Sequence, residues 1–283
     1  MGRVRLGTSS WSEKGWVGPF YPAGTAPRDF LSYYATRFEC VEVDATYYAV
    51  PRRDMVRGWA RKVPPGFALA GKFPRSIVHA GEGPRPDGTR VLVPEFVAAD
   101  RDAFLEAMSL LGDRCGPLVL QFPYFARDAF TEAGPFLERL SAFLEGLPTE
   151  FRYAVEIRNR AWIGAPLLER LRERNVALVW ADLPYVPHPD RWPTDLDPIT
   201  SDFGYVRLIG DRKATDARTK TFDRIVVDRS DRLARWAQFL EGVRDRLEET
   251  FVFANNHFAG HGPATLAELA TLLAAGGRPP AAS

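Results

Sequence analysis

The stretch that decides the fold is Phe38–Pro51, FECVEVDATYYAVP. Val41 and Val43 alternate with Cys40, Glu42 and Asp44, the period of two that a strand imposes. The run is short, lies between helix-like segments and breaks into a polar, aromatic turn with Tyr47, Tyr48 and Pro51. A half-exposed strand would show its polar face to water. This one reads as a parallel barrel strand, with valines against outer helices and carboxylates toward a central lumen.

Working outward, seven more short runs have strand character: Arg3–Gly7, Phe67–Phe73, Pro117–Phe122, Arg152–Ile157, Ala177–Ala181, Tyr205–Leu208 and Phe251–Ala254. Helical spacing predicts Arg28–Arg37, Asp54–Lys62, Asp100–Leu111, Glu132–Leu144, Pro166–Arg174, Asp231–Glu248 as the longest, and Pro263–Ala275. Leu183–Asp202 is proline-rich and has no helical period, so the helix after the sixth strand is expected to be missing or very short. Strands alternating with helices over 283 residues predict an α/β fold, a single (β/α)8 TIM-type barrel over residues 1–275, followed by a flexible tail at 276–283. A doubly wound open sheet would want a Gly-rich first turn, and Gly7–Trp11, GTSSW, is not that turn.

Composition narrows the function classes. Hydrophobic residues make up 46% and charged residues 26%, enough for a large core. A net charge of +1 argues against nucleic acid or a membrane surface as partner. No apolar run approaches the roughly 20 residues of a membrane span, and the N-terminal stretch has no apolar signal core, so a cytoplasmic location is expected. Cys40 and Cys115 lack the paired spacing of a zinc site or disulfide framework and read as buried thiols in a reducing compartment.

Active sites of such barrels lie at the carboxyl ends of the strands. Those positions collect Glu42, Glu156 and Asp182 as candidate catalytic carboxylates. Lys72, Arg158 and Arg207 are candidate anion holders, and Gln121, Asn255 and Asn256 candidate hydrogen-bonding groups. Trp11 and Tyr47, with Tyr48 and Trp162, are placed to stack on a ligand. Arg5 begins the first strand, where a structural role is expected. So many buried charges are costly unless they pair or meet a ligand.

Barrel glycosidases put their acids after the fourth and seventh strands, where this chain has Gln121 and Arg207. No cofactor or metal is expected, because all four histidines fall in loops. The alternative, Mg²⁺ on Glu42, Glu156 and Asp182, would compete with Lys72 and Arg158. Lys72 is expected to be ion-paired rather than a Schiff-base nucleophile. These residues predict acid/base chemistry on a small anionic (phosphorylated or carboxylated) or polyhydroxylated compound, as a hydrolase, lyase or isomerase. Two alternatives are a nucleic-acid-binding or processing protein using the basic Arg212–Arg224 loop, and a non-catalytic anion-binding protein. Oligomeric state leaves no mark in the sequence.

Several motifs recur in a specific order: Gly7-Thr8-Ser9 with Trp11, Phe38 with Val41-Glu42-Val43, and Thr46-Tyr47-Tyr48. Lys72 with Pro74, Gln121-Phe122-Pro123, and Glu156 with Arg158 and Trp162 follow. Tyr205-Val206-Arg207-Leu208 and Asn255-Asn256-His257 with Gly260 and Pro263 complete the set. In this order the chain resembles the YecE-like barrel family, known as domain of unknown function seventy-two, from about Arg3 to Ala275. The resemblance implies a TIM-like barrel and no settled reaction. The chain departs from the family at Asp44-Ala45, where an Asn-Ser pair is usual, and at Ile209, where a histidine often follows Arg-Leu. Its basic loop after the seventh strand is also longer than usual.

Overall fold

The structure is a computed structural model and describes residues 2–277. Eight strands occur in chain order: β1 (Arg3–Thr8), β2 (Cys40–Val43), β3 (Ala68–Lys72), β4 (Cys115–Gln121), β5 (Tyr153–Glu156), β6 (Ala177–Asp182), β7 (Phe203–Leu208) and β8 (Glu249–Ala254). They form one eight-stranded sheet in the order β1-β8-β7-β6-β5-β4-β3-β2. The pairs β1–β8, β3–β4, β4–β5, β5–β6 and β7–β8 are parallel. Parallel strands in that cyclic order, with helices between them, are the fold of a single TIM-type (β/α)8 barrel.

Between β6 and β7 there is only a 3-10 turn, Pro189–Arg191. Proline lacks the amide a longer helix would need, as the sequence implied. The longest helix is Pro94–Ser109, with 16 residues, and not the 14-residue Ser230–Val243. Pro94 takes the first helical turn and starts its helix well before Asp100. The later helix gives way to a 3-10 turn at Arg244–Arg246, because β8 already begins at Glu249. The helix expected at Arg28–Arg37 contracts to Phe30–Tyr34, since the amides of Thr36 and Arg37 bond three residues back, to Tyr33 and Tyr34. Three loops also carry short helices, Arg75–Val78, Arg212–Asp216 and Asn256–Ala259.

The chain divides into two compact units, one of segments up to Glu42, Trp180–Trp192 and from Asp202 onward, the other of Val43–Val179 and Pro193–Ser201. In the first, Tyr21 stacks on Phe30 at 4.2 Å, and Trp16, Tyr34 and Trp236 are fully buried. Gly7 of β1 lies so close to β2 that a Cβ there would sit 2.1 Å from the Cys40 carbonyl oxygen. The Tyr34 hydroxyl fastens the same junction, accepting from the Thr8 amide at 2.7 Å and donating to the Cys40 carbonyl at 3.2 Å.

In the second unit the helix Ala133–Glu145 buries Phe136, Leu137, Leu140, Phe143 and Leu144, one apolar stripe at helical spacing. Phe73, just after β3, packs on Phe104 at 4.8 Å and so faces the helices. Both cysteines are free thiols; burial pushes Cys40 well up and Cys115 to about 12. Gly276 and Gly277 have left-handed φ of 66° and 75°. The rest of the expected tail, residues 278–283, lies outside the described residues.

Candidate active site

In the second unit three consecutive strands end in polar side chains. Lys72 closes β3, Gln121 closes β4 and Glu156 closes β5, with Gln121 and Glu156 level in register. Glu156 is fully buried and accepts from Arg158 Nε at 3.1 Å. Arg158 reaches back from two residues beyond the strand and stays part-exposed. Lys72 is also buried, and its ammonium group donates to Asp44, which is 44% exposed on the 3-10 turn Asp44–Tyr47. Ion pairing is thus the observed state of Lys72.

Thr46 sets this turn against β3: its hydroxyl accepts from the Lys72 amide at 2.7 Å and donates to the Val43 carbonyl at 3.0 Å. Tyr47 stands half-buried beside this group. Burial pushes its hydroxyl pKa up, while the charges of Arg158 and Arg75 oppose that rise. The unit therefore presents a cationic and hydrogen-bonding strand-end surface around one buried carboxylate.

The first unit has a tighter cluster. Glu42, the third residue of β2, is fully buried; Oε1 accepts from Arg207 Nη2 at 2.9 Å and Oε2 from the Tyr205 hydroxyl at 2.8 Å. Burial, followed by the Glu42 charge, drives the Tyr205 hydroxyl well above its ordinary pKa, so it remains a donor. Tyr205 is a site residue the sequence reading passed over. It lies two positions before Arg207 on β7, hence on the same face, and that alternation was the available clue.

Asp182, at the end of β6, has another occupation. Its Oδ2 accepts from Trp236 Nε1 at 2.7 Å and its Oδ1 from Arg232, both on the helix Ser230–Val243. Asn255 and Asn256 are likewise engaged close to home. Asn255 Oδ1 faces His257 Nδ1 at 2.8 Å and accepts from the His257 amide at 2.9 Å, capping the short helix Asn256–Ala259. Asn256 Oδ1 accepts from Trp16 Nε1 at 3.2 Å and the Gly262 amide at 2.9 Å.

Trp11 is half-buried, and its carbonyl accepts from the Tyr21 hydroxyl at 2.5 Å. Trp162 is half-buried and packs against Phe125, Phe130 and Phe136. Arg5 pairs with Glu249, the first residue of β8, in keeping with the structural role expected of it. In the loop after β7, Arg212 and Lys220 share Asp216, and Arg224 pairs with Asp223. Internal pairing of that kind lowers the loop's attraction for a polyanion.

Among the described residues, no three of His, Cys, Asp and Glu gather where a metal could sit. Nor, among those residues, is any helix long and apolar enough to cross a membrane.

Comparison with known proteins agrees with the family resemblance. The family model described as "Protein of unknown function DUF72" matches residues 5–282. UPF0759 protein YecE of Escherichia coli strain K12 is 33% identical over 157 residues, covering 55% of this chain and 48% of that protein. UPF0759 protein YunF of Bacillus subtilis is 23% identical over 167 residues, 59% of this chain and 55% of its own. The matches thus span about half the length of these curated relatives. A crystal structure of a DUF72 family protein from Thermotoga maritima superposes with a TM-score of 0.68 at 26% identity, over 96% of this chain and 99% of that one. One from Enterococcus faecalis gives 0.69 at 20% identity, over 97% and 98%, and shares the fold.

Proposed function

The chain belongs to the DUF72 family, and from that premise and its strand-end chemistry we propose that it is an enzyme using carboxylate acid/base chemistry on a small anionic or polyhydroxylated compound. One observation carries the reading: a fully buried carboxylate, Glu156, ends a central strand beside Gln121, with Lys72 and Arg158 in the same unit. Placing ionisable groups in low dielectric is costly, and such groups cluster where chemistry needs them.

In this reading Glu156 moves the proton, Lys72 and Arg158 hold the anion, and Gln121 and Tyr47 orient it. Asp44 pairs with Lys72, and its exposure lets an incoming phosphate or carboxylate displace it. Glu42 takes a different part from the one its sequence position suggests. Both its oxygens are held by donors, so it acts as a fixed charge that positions Arg207 rather than as a proton carrier. Asp182, Asn255 and Asn256 act as supports.

The test is a panel of phosphorylated, carboxylated and polyhydroxylated metabolites, scored by thermal shift and by turnover. Anionic members should protect the wild type and not Lys72→Met, and one should be turned over by the wild type and not by Glu156→Gln. Protection undiminished in Lys72→Met would overturn the assignment of the anion site. Binding without turnover by the wild type would make the protein an anion receptor instead.

A further inference from the structure

Of the large apolar side chains in the described residues, Tyr48 and Tyr124 are the most exposed, at 74% and 62%. Both stand just beyond strand ends of the second unit, Tyr48 after the turn that follows β2 and Tyr124 after β4. An exposed ring scattered alone on a surface is ordinary. Tyr124 is not such a ring, because the chain around it is fixed and a cation stands alongside.

Two ties hold the segment after β4 to the segment after β5. The Phe122 amide donates to the Glu156 carbonyl at 3.1 Å. Three residues on, the Asn159 side chain accepts from the Phe125 amide at 2.8 Å and donates to the Phe125 carbonyl at 2.8 Å. The spans between these ties therefore lie side by side. Phe122 and Phe125 are buried in one span, and Glu156, Ile157 and Asn159 in the other. The most exposed residue of the first is Tyr124, and of the second Arg158. Arg158 gives its Nε to Glu156 at 3.1 Å, and among the described residues its Nη groups have no partner. Among the same residues no ring stacks on Tyr124 and no group bonds its hydroxyl.

An open guanidinium fork next to an open ring matches a molecule that carries its acid beside a flat ring. Granting the strand-end anion site, we infer that its substrate is a phosphate or carboxylate borne on a planar aromatic ring, with Tyr124 as the residue that selects the ring. The Arg158 Nη groups take the acidic oxygens through paired N–H donors, and the ring lies on Tyr124. Ring on ring gains attraction beyond the area it buries, which an aliphatic acid of equal size does not.

The experiment is isothermal titration of the full chain with methyl-, cyclohexyl- and phenylphosphonate, which share one acidic group. The phenyl compound should bind about threefold to tenfold tighter than the cyclohexyl one, the excess expected of a ring pair. Tyr124→Ala should erase that difference and leave methylphosphonate affinity and Tm unchanged, whereas Tyr124→Phe should keep it. Equal wild-type affinities for the phenyl and cyclohexyl compounds overturn the inference. So does a loss in Tyr124→Ala that is as large for methylphosphonate, because the tyrosine would then be a structural support. Methylphosphonate with Lys72→Met judges the anion site separately. Methylphosphonate held through Lys72 without any ring preference removes the Tyr124 platform alone. A ring preference that needs Tyr124 but persists in Lys72→Met keeps the platform and removes Lys72 from the anion site. Failure of all three compounds to bind the wild type overturns both.

Discussion

Replacing Asp182 by alanine separates a support from a catalyst. Trp236 is 1% exposed, and its indole N–H has Asp182 Oδ2 at 2.7 Å. Removing the carboxylate leaves that donor buried without an acceptor, a loss of about 1–3 kcal/mol. The Arg232 ion pair adds little, about 0.5 kcal/mol, because that side chain is 36% exposed and solvent screens it. The sum, about 1.5–3.5 kcal/mol, corresponds to a fall in Tm of roughly 5 °C in a chain of this size.

Trp236→Phe removes the donor, so in the double variant the second loss should be smaller by about 1–2 kcal/mol. Urea melts of the four proteins give this coupling, and turnover of any substrate found should be unchanged per folded molecule. An Asp182→Ala protein with wild-type stability and no turnover would show that Asp182 takes part in the chemistry rather than supporting Trp236.

Asp44→Asn removes the internal anion from Lys72, and isothermal titration with inorganic phosphate should show binding about threefold or more tighter; weaker binding would mean Asp44 holds the ligand. Burial lowers the pKa of all four histidines, His79, His188, His257 and His261, from the ordinary 6.5. The unfolded chain therefore takes up protons near pH 6.5 that the native chain takes up only at lower pH. Stability should be full above about pH 7 and fall as pH drops through this window; a Tm flat or rising from pH 7.5 to 5.5 would contradict it. Gly7→Ala forces a methyl onto the Cys40 carbonyl and should cost about 3 kcal/mol, seen as reduced soluble yield and a lower Tm; a wild-type melt would show that β1 and β2 can part. With Cys40 buried, Cys115 part-exposed and both thiol pKa values raised, Ellman's reagent at pH 8 should label native protein slowly and both cysteines at once in denaturant; rapid native labelling would show a populated thiolate.

The barrel was legible because its evidence is local. Alternation in Val41-Glu42-Val43 and the break at Asp44 depend on neighbours in the chain, and all eight strands overlap the runs that sequence periodicity marks. Glu156 and Arg158, two residues apart, were legible for the same reason. What periodicity cannot see is which distant group a side chain meets. Glu42 meets Tyr205 across 163 positions, and Asp182 meets Trp236 across 54. A strand-end aspartate that caps an indole and one that moves a proton look alike in sequence. The two asparagines after β8 show this too, since their partners include Trp16, 240 residues away. Asp44 changed in the opposite sense: in sequence a departure from the family, in structure the partner of Lys72.

Glu156 is the group proposed to move a proton, and the most direct test is Glu156→Gln on whichever metabolite the wild type turns over. Glutamine keeps an oxygen for Arg158 and nearly the same volume, so Tm and ligand binding should persist. Turnover should fall by about 10²–10⁴-fold, the usual worth of a positioned acid or base. A kcat within about threefold of wild type, measured on folded, ligand-binding protein, would show that Glu156 does not move the proton.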